Sequence, residues 1–577
     1  MGESAYTIGS RGVRRDQGSC VMQNYSLRRW IMLIALVGSL VPVPGAVFAN
    51  PASRDRAAAE HLGTVSFAVS CRSDVREQFS RGVALLHDFW YDEARPQFER
   101  ILARDPSCAM AHWGVAMSVF HQIWDRPDDP AIATAARELR AARARPAKTA
   151  RERAFIAALS GFFDADGRSY ATRIETYSAA MGEIFARYPN DIDAGAFYAL
   201  SMLAAERPDD TSLRQEHAAV RILTPLFGAH PDHPGVVHYI IHACDTPALA
   251  ADGLVAARHY GTIAGSAPHA AHMPGHIFAR LGLWQEDIEA NRVSVEASKF
   301  AEAHGESGAI DQFHSDDFLL YAYLQSAQDE SARAMIDESS GLIRHFSAMT
   351  GMADHYMMGM FPYYQSKLPI FLALETRDWK TAAELEPISS APPETQTQVY
   401  WARVIADGHL RRADRAALDL AAHDALVEEI KKGRHAYYAD STGARITREE
   451  MLGWAAFAAG ANDAAISHMG AAADLQDRVG QGEVDIPARE MLGDMLLELG
   501  RPGPALAEYE RSLQLSPNRF NGLFSAGLAA EGAGDRARAA GYYATLLRLT
   551  DGGAHTARAE IAHARDALAA DASASLR

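Results

Sequence analysis

The chain has 577 residues, 48% of them hydrophobic and 22% charged, with a formal net charge of −17. That apolar share is enough for several folding units or one long repeat array, and it excludes a long disordered block. The acidic balance repels nucleic acid and anionic lipid headgroups, so neither is expected as a partner.

Residues 22–49 read as a secretion signal that starts at Met22. Arg28 and Arg29 supply the basic end, residues 31–40 a short apolar run, and Val47 and Ala49 the small residues ahead of a cut after Ala49. The run is too short, and too broken by Gly38, Pro42, Pro44 and Gly45, to cross a bilayer. Loss of residues 1–49 removes five basic and two acidic side chains, which takes the net charge from −17 to −20. A periplasmic or secreted protein is expected, with no membrane span in the mature chain. That mature chain keeps Cys71, Cys108 and Cys244, and in an oxidising compartment an odd count leaves at least one thiol unpaired. Cys71 and Cys108 flank the first repeat and could pair. Cys244 lies two residues past His242, on a different helical face, and is expected in the core.

A repeat organises the rest. Gly493, Gly500, Ala505, Tyr509 and Ser512 recur 34 residues later as Gly527, Gly534, Ala539, Tyr543 and Leu546. Gly453, Gly460, Ala465, Met469 and Ala472 keep the same offsets upstream, and Gly82, Ala94, Phe98 and Pro106 repeat them near the N-terminus. This pattern marks tetratricopeptide-like (TPR-like) antiparallel helix pairs. The small residues let two helices approach, the aromatic fills the groove between pairs, and the proline ends the second helix. The expected fold is therefore all-α, an α-solenoid of such pairs. Its expected blocks are a signal (1–49), an N-terminal unit (50–150), a central histidine-rich block (151–345), an intermediate helical block (346–432) and a C-terminal repeat block (433–577).

The N-terminal unit is crowded with His87, Phe89, Trp90, Tyr91, His112, Trp113, His121 and Trp124. These side chains either grip a ligand or fill the core between repeats. The central block then holds eight of the 23 histidines between His230 and His276. His238 and His242 are four apart, as are His272 and His276, so each pair can face one point from a helix. Pro234 and Pro274 suit the first turn of a helix, where a missing N–H costs nothing. Gly275, Gly282 and Trp284 sit where a repeat carries its first glycine, turn glycine and turn aromatic. His276 is thus expected in the first turn of a helix, with His269 and His272 on the loop before it. Farther on, Met352, Met357, Met358 and Met360 surround His355, as soft copper ligands or as core filler.

Residues 79–124, with HYIIHACD (238–245), HMPGHIFARLGLW (272–284) and HSDDFLLYAYLQ (314–325), resemble signature blocks of a large, mostly uncharacterised group of exported bacterial TPR proteins. The likeness covers residues 71–385. It implies an exported repeat fold, and it picks out His238, His242, His272, His276 and His314.

Neutral imidazole binds Zn, Cu, Fe or Ni, and four nitrogens from two elements can close around one ion. His238, His242, His272, His276 and His314 are the candidate ligands, and Asp245, Asp317 and His269 are candidates to orient them. The bland alternative is that these histidines pack and hydrogen-bond within tight helix pairs. Two functions follow. One is an exported scaffold that binds a protein or peptide in its groove and carries a histidine-built metal site. The other is a metal-dependent enzyme or metal carrier, using Zn or Cu on the same histidines.

Overall fold

Glycines and bulky side chains sixteen residues apart set the spacing of the helix pairs. A Cβ on Gly82 would stand 2.8 Å from the Phe98 ring, on Gly493 2.6 Å from Tyr509, and on Gly527 2.3 Å from Tyr543. Those three rings are wholly buried, as are Ala94 and Ala505, which let the second helix of each pair lie close to the first. The pairs are Arg76–His87 with Tyr91–Arg104, Ala488–Glu498 with Pro502–Leu515, and Phe520–Gly532 with Arg536–Leu549. The fold is all-α, a solenoid of TPR-like antiparallel pairs, and among the described residues every regular element is helical.

The computed structural model describes residues 60–577, apart from 124–125, 146, 165–166, 208–209, 349–354, 434–435, 481, 483, 552–553, 555 and 576–577. The leader, Trp124 and Met352 lie outside the described residues, as do the side chains of His355, Met357 and Met358. Among the described residues no helix is long and apolar enough to cross a membrane.

Local sequence explains the helix starts. Thr149 and Glu152 form a reciprocal capping box, and Asp128, Ser169, Asp191 and Ser441 each accept an N-terminal backbone N–H. His233 caps Pro234–Cys244 through its side chain, with Pro234 in the first turn as anticipated. Cys71 and Cys108 are joined by a disulfide, their Cα atoms 4.9 Å apart, while Cys244 is a buried free thiol.

Among the described residues the interior holds two large apolar cores and a small cluster of Phe313, Ile343, Phe361 and Tyr364. One large core draws on residues from Leu62 to Ala301, the other on residues from Ala279 to Ala564. They meet at the Trp284–Ala303 helix, which feeds Ala301 to the first core and Trp284, Ile288 and Val295 to the second. The array also closes on itself. Trp284 Nε1 donates to the Asn518 carbonyl at 2.7 Å, and Asn518 Nδ2 returns a bond to Gly282 O at 3.2 Å. Arg519, 1% exposed, pairs with Glu375 at 2.8 Å and Glu490 at 2.9 Å. Removing one partner of such a buried pair costs about 3–5 kcal/mol, because the other charge is left uncompensated.

Gly527→Ala is expected to destabilise the fold by about 1–3 kcal/mol, since its methyl must displace the Tyr543 ring. Gly541→Ala, at an exposed helical position with open space around it, should be neutral or stabilising by about 0.5–1 kcal/mol. Urea unfolding of both variants checks the pair. Equal midpoints would contradict the packing role of the glycine.

Candidate metal centre

Six histidines gather at the seam between the two cores, in two groups of three. The first is His238 and His242 from Pro234–Cys244 with His269 from Pro268–His272. The second is His272 from that same short helix, His276 from Pro274–Leu281 and His314 from Ala309–Gln325. In each group three donor nitrogens lie within 4.8 Å of one another. Closing them to the ~3.4 Å spacing around an ion with bonds of about 2.1 Å needs side-chain shifts of about an ångström.

In His238, His272 and His276 hydrogen bonds indicate which ring nitrogen carries the hydrogen. His238 Nδ1 lies 2.6 Å from the His87 carbonyl, which can only accept, so Nδ1 holds the hydrogen and Nε2 the lone pair. That Nε2 is buried and has no hydrogen-bond partner. His276 Nδ1 donates to Asp245 Oδ2 at 3.0 Å, and Asp245 is itself held by Arg280 Nε at 2.9 Å. His272 Nδ1 donates to Asn291 Oδ1 at 2.6 Å, because the Asn291 amide nitrogen is committed to Asp287 O and Oδ1. Both rings therefore present Nε2 lone pairs to each other, at 3.0 Å. Two such lone pairs repel, and a shared proton or a bound cation removes the repulsion.

The surroundings are apolar. Phe89 packs on the first trio, with ring centroids 4.4, 5.5 and 5.4 Å from His238, His242 and His269. Phe318 does the same for the second, at 4.7, 4.8 and 5.6 Å from His272, His276 and His314. Burial lowers His238 and His269 well below the ordinary imidazole value, so both rings are neutral at pH 7. Burial likewise pushes the Asp287 carboxyl well above its ordinary range.

Sequence reasoning missed two residues, and the place of a third, that the repeat offsets could have exposed. Twelve residues after the first glycine a repeat carries buried alanine, and sixteen after it a large apolar side chain. From Gly275 those positions hold Asp287 and Asn291, both 0% exposed. With Ser294 and Ser298 they form a buried polar stripe along Trp284–Ala303, and a Cβ on Gly275 would stand 2.8 Å from both Asp287 and Asn291. The third is Phe89, at the left-handed turn position that Gly282, Gly460, Gly500 and Gly534 fill in other repeats. Its φ of 56° costs about 1 kcal/mol for a residue with a Cβ.

The structure corrects three expectations. His238, His242, His272 and His276 do not close around one point, because the short Pro268–His272 helix inserts His269 beside the first pair and aims His272 at the second. His269 and His272 are helical, not on a loop. Helical geometry runs through Met273, and Pro274, lacking an N–H, divides the segment into two helices. His269 thus stands among the donors of the first trio rather than behind them. Asp245 accepts a hydrogen bond from His276, and Asp317 pairs with Lys367. Among the aromatics of the N-terminal unit, Phe89, Trp90, Tyr91 and Trp113 are buried.

Two other groups of donors are already satisfied. The Cys71 and Cys108 sulfurs are bonded to each other. Asp193 lies 3.1 Å from His87 Nε2 and 3.4 Å from His233 Nε2. Despite the penalty of burial, those hydrogen bonds hold its carboxyl well below the usual range. Burial takes His87 down to about 4. This group buttresses the first trio, since the His87 carbonyl is what fixes His238. A polar cavity of about 880 Å³ borders the second trio's support, with Asp245, Thr246 and Arg280 in one wall and Tyr437, Tyr438 and Arg489 in another.

No protein-family model matches the chain, and no curated protein matches it in sequence. Solved structures similar to it include a human IFIT1 dimer with m7Gppp-AAAA, at 12% identity, covering 83% of this chain and 96% of that one, TM-score 0.37. The human IFIT1 dimer with PPP-AAAA gives 11%, the same 83% and 96%, and TM-score 0.36. Naa15/Naa10 bound to HypK-THB gives 12% identity, 87% of this chain and 74% of that one, and TM-score 0.20.

Asn291→Leu removes the acceptor that orients His272. It should weaken metal binding by roughly 10–100-fold while leaving helix content unchanged. Ser298→Ala, two turns along the same stripe, should leave affinity intact. Competition against a chromophoric chelator measures both, and equal affinity in Asn291→Leu and wild type would remove Asn291 from the site.

Proposed function

We propose that this chain is an exported TPR-like scaffold whose central block binds a transition-metal ion, Zn or Cu, through histidine. The observation that carries the metal reading is the 3.0 Å approach of the His272 and His276 Nε2 atoms with both Nδ1 hydrogens committed elsewhere, an arrangement that calls for a proton or a cation between them. His314 adds a third nitrogen. Export is supported by the leader-like residues 22–49 and by the Cys71–Cys108 disulfide, which suits an oxidising compartment. The likeness to the exported bacterial TPR group belongs to the same proposal. The half-exposed Tyr437 and Tyr438, 57% and 53% exposed beside the polar cavity, suit contact with a protein or peptide partner.

A second reading is a metal-dependent enzyme or carrier. The cavity favours it, because Asp245, which orients His276, lies in its wall, and a bound small molecule would sit close to the ion.

Protein purified from its native compartment should begin at Asn50 by mass. It should carry stoichiometric Zn or Cu by elemental analysis. His276→Ala should lose that metal while keeping its helix content, and His304→Ala, at an exposed site, should keep it. Metal-free wild-type protein would refute the metal reading. Reduction of the disulfide, which closes a loop with a sequence separation of 37, should cost about 2–4 kcal/mol of stability, read by urea unfolding.

A further inference from the structure

We infer that the centre is dinuclear, with one ion held by His238, His242 and His269 and a second by His272, His276 and His314. This rests on the metal reading of the second trio and extends it to the first. Each trio is complete in itself. Each has three imidazole nitrogens within 4.8 Å of one another, at least one ring whose Nδ1 hydrogen is committed to an acceptor, and its own phenylalanine over the rings. In the first trio the His87 carbonyl sets His238, whose buried Nε2 points at no other acceptor or donor.

The trios are not separate sites on one surface. Ring centroids are 6.2 Å apart between His269 and His272 and 6.5 Å apart between His242 and His276, the edges where the trios adjoin. The widest span inside a trio, His242 to His269, is 6.4 Å. Six rings therefore form one continuous cluster, and in the inferred centre its two neighbouring ions share a small oxygen ligand such as hydroxide. Three imidazoles leave at least one coordination position open on each ion, as in other sites that place two metals about 3.5–4 Å apart. Imidazole-only ligation suits Cu and Zn, and Cu(II) binds such donors most strongly in the first row.

The test uses the full mature chain, stripped of metal and titrated with Cu(II) alone. Two Cu per chain are expected at saturation, with an integrated electron paramagnetic resonance signal well below that of two isolated ions, because neighbouring spins couple. His238→Gln and His272→Gln should each bind one Cu fewer and give the full signal of an isolated ion, with circular dichroism confirming the fold. Two ions with an undiminished signal would overturn the inference. One ion in wild type, lost from His272→Gln but kept by His238→Gln, would also overturn it while leaving the proposed function standing. No bound copper or zinc in wild type would defeat both. The wild-type count and spectrum decide the matter even where a variant misfolds.

Discussion

A neutral imidazole has one N–H and one lone pair, and committing the first decides where the second points. The seam of this protein depends on that constraint. The His87 carbonyl, the Asp245 carboxylate and the Asn291 amide oxygen each take an Nδ1 hydrogen, from His238, His276 and His272 respectively. With those three acceptors in place, the Nε2 atoms turn inward. Hydrophobic packing alone would accept either ring orientation. Asn291 meets the need of the His272 ring for a hydrogen-bond partner in an apolar interior, where an unmade bond costs about 1–3 kcal/mol.

The scaffold explains how such a site arises in a repeat protein. The repeats at Gly82, Gly493 and Gly527 set an aromatic ring against the glycine, with a buried alanine four residues before that ring. The histidine repeat keeps the glycine and the turn but places Asp287 and Asn291 at those contacts. Backbone geometry is retained while the interface chemistry changes from apolar to polar. Phe89 is the complementary exchange, an aromatic ring where other repeats carry a turn glycine, and it supplies apolar cover for His238, His242 and His269.

The fold was legible because its determinants are local and periodic. The spacing of Gly493, Ala505 and Tyr509 states a helix pair without any knowledge of its neighbours. Helix entry at Pro234 and Pro274 was legible for the same reason, as a proline has one comfortable place in a helix. The partition of the histidines was not, because it turns on where Pro274 divides an otherwise continuous helical segment, a matter of which bond is lost. The seam between the cores was also hidden. Its Trp284 helix is tied to Asn518, which is more than two hundred residues from Trp284 and shows no period that relates it to that residue.

The bonds between the Gly282 turn and Asn518 have a consequence for the history of the chain. An open solenoid can gain or lose a unit at its end with little penalty, since each unit touches only its neighbours. Here the ends of a loop of repeats are tied, and one added pair between residues 303 and 518 would push the closing contact aside by about the 10 Å thickness of a helix layer. Duplication within that span is therefore closed to this lineage, and diversification there must proceed by substitution within a fixed number of units.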